Sequence, residues 1–192
     1  NEYAFKQIFI LSMVYALAFG SQLAVISMFP QFLESTFGLS VAKAGMIGSS
    51  FAFMNLISRP VGGWISDLIE KKHALILFVT GSMIGYIIMT QINASWPIWS
   101  VILLAFGCSI FLQATTGACF AAVPLIRKDL TGKVAGLTGA YGNVGAVMFL
   151  TILSFTGPEK FFSIAAFYAA IVLTVLIFLN SFNNLHKSFQ TN

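Results

Sequence analysis

The chain has 192 residues, of which 58% are hydrophobic and only 8% are charged, and it carries a net charge of +4. Soluble domains carry about 25% charged residues, so a water-soluble fold of this size could not cover its surface. The composition predicts an integral membrane protein in a lipid bilayer. In a membrane protein, an excess of basic residues in the loops indicates the orientation of the chain in the bilayer. It does not indicate a nucleic-acid partner.

Six runs of the sequence are apolar enough to cross a bilayer, which takes about 20 residues. In chain order they cover residues 8–29, 44–66, 74–91, 98–122, 134–155 and 161–180. The connections are short, so we expect consecutive helices to be antiparallel neighbours. The predicted fold is an all-α membrane protein, with one six-helix transmembrane domain over residues 1–192 and a cytoplasmic tail at 181–192.

Basic loop residues predict the orientation, because cytoplasmic loops are enriched in Lys and Arg. One side carries Lys6, Lys71, Lys72, Arg127, Lys128, Lys133 and Lys187, and the other carries Lys43 and Lys160. We therefore expect a multi-pass protein of the plasma (cytoplasmic, or cell inner) membrane with both termini in the cytoplasm. The chain begins with Asn1 and has no secretory signal pattern, so we expect a domain of a longer chain.

Arg59 is the single charge between Lys43 and Asp67 in the second span. Eight residues separate it from Asp67, about 12 Å along a helix, which places it inside the apolar layer. One interpretation is an arginine that snorkels to the cytoplasmic interface. The other is an anion site, since a guanidinium offers a planar fork of donors. Asn55, one turn away on the same face, and Pro60, which frees a backbone carbonyl, favour the anion site.

Glycines recur every three residues in the fifth span. They are Gly136, Gly139, Gly142 and Gly145. Each step of three falls about 60° short of a full turn, so the strip winds diagonally, and another backbone or a small ligand can approach it. Asn143 places an amide beside this groove. Plain helix packing is the alternative, and it is our interpretation of Gly81 and Gly85 in the third span.

Tyr15 and Phe19 lie four residues apart in the first span and therefore share a helix face. Most membrane aromatics are core or belt residues, so the spacing alone leaves their role open. Cys108 and Cys119 are about three turns apart on one helix, too far to form a disulfide. The sequence contains neither a metal-ligand cluster nor a nucleophile–base set, and we expect no metal, no cofactor and no enzymatic activity.

The end of the second span resembles the cytoplasmic loop signature of the major facilitator superfamily, Gly-x-x-x-Asp-Arg-x-Gly-Arg-Lys. The matching residues are Gly63, Asp67, Lys71 and Lys72. Leu68 and Glu70 replace the usual Arg and Gly, and such a degenerate copy is typical of the C-terminal half of these transporters. The resemblance implies one six-helix half of a major facilitator fold, a 3+3 inverted repeat. It also implies a charge latch between this loop and a neighbouring helix end.

Arg59 and the glycine helix are similar to motifs of the nitrate/nitrite porter family. That family's fifth-helix signature is Gly-x-x-Gly-x-x-Gly-Asn-x-Gly-Gly, and the chain departs from it only where Ala146 replaces the last Gly. The resemblance implies that Arg59 is the substrate arginine and that Tyr15 and Phe19 are its aromatic pair. With Asn55 and Asn143 these are the candidate substrate-binding residues, and the four glycines are candidate packing or conformational residues.

The resemblance implies transport of nitrate and/or nitrite by alternating access, with a second arginine supplied by an N-terminal six-helix half. All acidic residues fall in loops or at helix ends: Glu2, Glu34, Asp67, Glu70, Asp129 and Glu159. Proton symport usually uses a membrane carboxylate or His, so either nitrate/nitrite exchange or a proton path in the other half remains open. The rival functions are transport of another organic anion or drug, and a non-transporting receptor or assembly subunit.

Overall fold

The computed structural model describes residues 2–178, apart from the side chains at positions 2, 3, 51 and 159. The predicted cytoplasmic tail, 181–192, and the end of the sixth predicted span lie outside the described residues. The described elements are helices: α1 (Glu2–Tyr15), a π-helical turn (Ala16–Gly20), α2 (Ser21–Phe37), α3 (Val41–Leu68), α4 (Lys71–Met89), α5 (Ile98–Ile126), a 3₁₀ turn (Lys128–Leu130) and α6 (Thr131–Phe178).

The first crossing segment is longer than the sequence predicted. The elements α1, the π turn and α2 follow one another without a break from residue 2 to residue 37, whereas the apolar run covers only 8–29. The helix ends at Gly38, whose φ of 65° lies in the left-handed region that glycine adopts without steric cost. Hydropathy locates the membrane-buried middle of such a helix, and the glycine decides where its backbone stops.

The predicted fifth and sixth spans are the two parts of α6, residues 131–156 and 158–178. Gly157, with φ 73° and ψ 175°, leaves helical geometry between them, and Pro158 follows it. The rings of Phe149 and Tyr168 meet edge to face at 5.6 Å, so the second part folds back against the first. Within residues 2–178 the helices therefore form six segments, with the kink at Gly157 separating the last two.

Five segments of the described chain are long and apolar enough to cross a membrane: Ala4–Phe37, Lys71–Met89, Ile98–Ile126, Lys128–Pro158 and Lys160–Phe178. The remaining helix, α3, has 28 residues, about 42 Å of helix for a hydrocarbon core of about 30 Å. Its hydropathy is lower because Asn55, Ser58 and Arg59 interrupt the apolar run. The least apolar helix is thus the one that carries the charged side chain.

Glycines bring two pairs of helices into backbone contact. On α5, a Cβ atom on Gly117 would lie 2.0 Å from the carbonyl oxygen of Arg59 in α3. At the other pair, a Cβ on Gly20 in the π turn would lie 2.5 Å from the carbonyl carbon of Gly145 in α6. The second crossing segment therefore packs on the fourth, and the first packs on the fifth. If the first, second and third segments are exchanged with the fourth, fifth and sixth, the second–fourth contact becomes the fifth–first contact. The pair of contacts is therefore preserved, as a 3+3 repeat requires.

Candidate functional site

Arg59 extends from the middle of α3 towards α5. Its Nε–H donates a 2.6 Å hydrogen bond to Oε1 of Gln113, and the side chain is half-buried. Gln113 is 1% exposed and lies near the centre of α5. The guanidinium is therefore held sideways against a neighbouring helix at the depth of its own backbone, and it does not run along α3 to the membrane interface as the snorkelling interpretation required.

A stacked pair of aromatic rings lies beside this guanidinium. Tyr15 and Phe19 stack with their ring centroids 5.4 Å apart and their planes 7° from parallel. Cζ of Arg59 lies 5.9 Å from the centroid of Phe19, within the range of a cation–π contact. Phe120 of α5 closes the far side by meeting Tyr15 edge to face at 5.1 Å. The structure thus brings together Arg59, Tyr15 and Phe19, which the sequence predicted from separate helices.

A second polar cluster lies one turn away and includes Asn55. Nε2 of Gln22, in α2, donates to Oδ1 of Asn55 at 2.8 Å and to Oγ of Ser109 at 3.2 Å. Asn55 precedes Arg59 by one turn, and Ser109 precedes Gln113 by one turn, so the two clusters form successive rungs between α3 and α5. Gln22 is buried and its Oε1 has no hydrogen-bond partner among the described residues.

The four glycines of the fifth span divide into two pairs. A Cβ on Gly142 would lie 2.3 Å from Cε1 of Tyr15, and one on Gly145 would lie 2.5 Å from the carbonyl oxygen of Ala16. Neither Gly136 nor Gly139 has an atom of the described chain within 4 Å of such a Cβ. The diagonal strip therefore meets the first crossing segment only at its second half, because a three-residue step turns the first half away.

Asn143 is not brought to Arg59. Its side chain is exposed, and its Nδ2 donates a long hydrogen bond, 3.4 Å, to the carbonyl oxygen of Gly139 in its own helix. Asn143 follows Gly142 in the sequence, and Gly142 lies against the Tyr15 ring. The prediction that places Asn143 beside the glycine groove describes its sequence position correctly, and the structure adds that its side chain faces outward from this bundle.

The loop motif forms a local ion pair. Lys71, the first residue of α4, donates to the carboxylate of Asp67 in the last turn of α3, and its Nζ also lies 3.2 Å from Oγ of Ser66. Lys71 is largely buried while Asp67 is exposed. The pair spans the short connection between the two helices and so stabilises the α3–α4 turn, while the implied latch to a neighbouring helix end stays a prediction. Lys72 beside it is buried.

Five contributors to this region were absent from the predicted site. They are Gln22, Ser109, Gln113, Gly117 and Phe120. A signal for the two glutamines was present, because each places an amide in the middle of an apolar span, where an unpaired polar group is costly. Gly117 carried no distinguishing pattern, since a single glycine in a membrane helix is common.

A sequence profile of the Major Facilitator Superfamily matches residues 8–186. Among curated proteins, the chain is 48% identical over 154 residues to the nitrate/nitrite transporter NrtP of Picosynechococcus sp., covering 80% of this chain and 29% of that protein. It is 42% identical over 164 residues to NrtP of Nostoc punctiforme, covering 85% and 33%. It is 38% identical over 146 residues to nitrate transporter 2.2 of Chlamydomonas reinhardtii, covering 72% and 28%.

The chain spans about a third or less of the length of these relatives. The superfamily profile, in contrast, covers nearly all of the chain itself. The resemblance predicted from the loop motif and the glycine helix is thereby confirmed. The bundle of helices, its paired glycine crossings and this profile lead to one conclusion: the chain belongs to the Major Facilitator Superfamily.

Proposed function

We propose that this chain is the C-terminal six-helix half of a transporter that carries nitrate and/or nitrite across a membrane by alternating access. The observation that carries the proposal is the position of Arg59: a guanidinium inside the bundle, held by Gln113 and flanked by the ring of Phe19. The names of the similar proteins, which are nitrate or nitrate/nitrite transporters, support the choice of anion.

The chemistry of the site suits a small planar anion. A buried positive charge costs at least about 2.5–3.5 kcal/mol near the bilayer centre, and a bound anion offsets that cost. Guanidinium donors match the in-plane oxygens of an oxyanion, while the stacked rings of Tyr15 and Phe19 offer flat walls. A matching arginine from the N-terminal half would complete a clamp around the anion. Asn55, which accepts from Gln22, would extend the polar surface one turn from Arg59, and Asn143 would contribute from the face that the other half covers.

The glycine contacts support a moving bundle. Gly20 and Gly145 bring the π turn against α6 with backbone in contact with backbone, so these segments can slide without side chains interlocking. Gly136 and Gly139 are open within the described chain, and we assign that face to the partner half. Alternating access would then be a rocking of the two halves around the central site.

Two coupling mechanisms are candidates for driving anion uptake. Import of an anion into a negative-inside cell is opposed by about 2.3 kcal/mol per 100 mV, so uptake must be coupled. The acidic residues of this chain lie in loops or at helix ends, which favours either exchange against nitrite or proton symport through the other half. Nitrite-loaded vesicles without a proton gradient would support uptake only under the exchange mechanism.

We infer that the protein is a multi-pass plasma-membrane protein with both termini of this half in the cytoplasm. The support is the distribution of basic loop residues, since Lys and Arg are retained on the cytoplasmic side. The lipid bilayer and the N-terminal half are the partners of this chain, and it acts as a transporter and not as an enzyme. Accessibility of a single cysteine introduced at Lys133 to a membrane-impermeant thiol reagent measures the orientation.

Nitrate uptake by the complete transporter in proteoliposomes tests the function. Arg59→Lys keeps the charge but loses the planar fork, so it should abolish or strongly reduce uptake while the protein still inserts. The matched control is Arg127→Lys, in the exposed loop before α6, which should retain uptake. Wild-type uptake by the Arg59→Lys protein would overturn the assignment. Competition by nitrite and by organic acids separates this function from transport of another organic anion or drug, and any flux at all excludes a non-transporting receptor or assembly subunit.

A further inference from the structure

Gln113 is a buried amide whose side-chain oxygen is committed to Arg59. It is 1% exposed, and its Oε1 accepts the Nε–H of the guanidinium at 2.6 Å. A neutral amide in an apolar span is costly unless it is hydrogen-bonded, and a bond from a charged donor is about twice as strong as one between neutral groups. The pair is therefore a firm contact between α3 and α5 at the depth of the site.

Because Gln113 accepts from Nε of Arg59, fewer arrangements remain in which the guanidinium can bind an oxyanion. A guanidinium binds an oxyanion in two bidentate ways, through Nε with one terminal amino group or through both terminal amino groups. Gln113 occupies Nε, which removes the first arrangement. Neither terminal amino group of Arg59 has a hydrogen-bond partner among the side chains and backbone that the structure describes. The terminal edge is thus the edge that remains for a ligand.

The backbone contact between the two helices sets this geometry. A Cβ on Gly117 would stand 2.0 Å from the Arg59 carbonyl oxygen, and a Cβ on Gly62 would stand 2.3 Å from Cα of Ala114. The hydrogen-bonded pairs advance in the same direction along both helices, from Asn55 and Ser109, joined through Gln22, to Arg59 and Gln113, so α3 and α5 run parallel and Gln113 stays level with Arg59. At such a close crossing the amide oxygen of Gln113 reaches Nε of Arg59.

We propose that Gln113 is a positioning residue for Arg59: by accepting the Nε–H it presents only the terminal edge of the guanidinium to the transported oxyanion. The inference rests on the proposed function, in which Arg59 binds that anion. Its consequence is that Gln113 sets anion affinity and the preference between nitrate and nitrite without touching the anion. A purely structural role would instead lower stability and leave affinity unchanged.

The test measures KM and kcat of the complete transporter in proteoliposomes, with nitrate and nitrite each as the probe. Gln113→Leu and Gln113→Met remove the acceptor at similar volume, and each should raise the nitrate KM about tenfold with a much smaller change in kcat. Gln113→Glu keeps an acceptor but neutralises the guanidinium, so nitrate uptake should fall further than with Leu. Thr116→Val, on the same helix, removes a hydroxyl bonded only to its own backbone and should leave KM unchanged.

A wild-type nitrate KM in both Gln113→Leu and Gln113→Met, or an equal rise in Thr116→Val, would overturn the positioning role. If Gln113→Leu fails to fold, the flexible Met variant carries the test. Nitrogen-15 spectra of the arginine side chains provide a measurement on the wild type: nitrate should shift the terminal Nη signals of Arg59 and leave its Nε signal in place, and the reverse would overturn the proposal. If the Arg59→Lys protein retains nitrate uptake, the proposed function itself is wrong. If that protein loses uptake but the Gln113 variants keep the wild-type KM, only the positioning role of Gln113 is wrong.

Discussion

Gly142 lies against the ring of Tyr15, so closely that a Cβ atom at position 142 would stand 2.3 Å from Cε1 of that ring. Tyr15 is 6% exposed and stacked on Phe19, so the ring has little space into which it can move. The smallest possible side chain at this position is therefore what allows the aromatic pair to lie beside Arg59.

Gly142→Ala should displace the Tyr15 ring, lower stability by about 1–3 kcal/mol through overpacking and raise the nitrate KM. The larger Gly142→Leu change should block the transport cycle. Gly132→Ala, on the same helix, is the control, because its Cβ meets nothing in the described chain within 4 Å. Thermal unfolding in detergent and uptake in proteoliposomes measure both effects, and equal behaviour of the two alanine variants would contradict the packing account.

A second substitution tests the crossing of α3 and α5. Gly117→Ala places a Cβ against the Arg59 carbonyl oxygen, and a backbone atom cannot rotate away as a side chain can. We expect a loss of about 1–3 kcal/mol or more and a weaker Arg59–Gln113 contact. Gly107→Ala, on the same helix but with nothing within 4 Å, should fold as the wild type does. A stable, active Gly117→Ala protein would show that the crossing tolerates separation.

The contact between Phe19 and Arg59 predicts an effect on anion affinity. Cation–π contacts contribute about 0.5–2 kcal/mol, so Phe19→Ala should raise the nitrate KM by about 2- to 30-fold. Phe19→Tyr keeps the ring and should stay close to the wild type. Phe155→Ala removes a ring that is 87% exposed and serves as the control. An unchanged KM in Phe19→Ala would place the aromatic pair outside the site.

A hydroxyl relay supports the π turn. The buried Tyr86 donates a 2.6 Å hydrogen bond to Ser21, whose own hydroxyl donates to the carbonyl oxygen of Leu17 at 2.6 Å. Ser21→Ala leaves the Tyr86 hydroxyl buried without a partner and should cost about 1–3 kcal/mol, more than Tyr86→Phe. The double variant should be less destabilised than the sum of the two, by about 0.5–3 kcal/mol. Additive changes in the unfolding midpoint would indicate that the two hydroxyls act independently.

The sequence predicted most of the fold because hydropathy acts over whole segments. Six apolar runs predicted six crossing segments. The fourth predicted span, 98–122, lies within α5, which begins at Ile98. Ends were less well predicted, because Gly38 and Gly157 fix them through backbone angles that hydropathy does not contain. The boundary between the last two spans has the same origin, since Gly157 leaves helical geometry there.

The arrangement of the candidate site was predicted in part. Arg59, Tyr15 and Phe19 were predicted as site residues from depth, spacing and resemblance. The structure places them close together, and their role in binding stays a prediction. Gln113 was not identified, because its partner is 54 residues away in the sequence and no local pattern links them. The outward direction of Asn143 depends on helix rotation, which packing decides.

By itself, the sequence determined that the chain spans a membrane and keeps one arginine inside its second segment, because few charges and long apolar runs permit no other arrangement. Only the tertiary structure decided which groups Arg59 contacts within the bundle. The parallel crossing at Gly117 brings Gln113 to its Nε, and Gly142 leaves room for the rings beside it. The physical reason is that close backbone contacts between segments distant in the sequence set the position of each helix. These contacts, which the local pattern of neither segment contains, direct the Arg59 guanidinium to Gln113 and leave its terminal edge free.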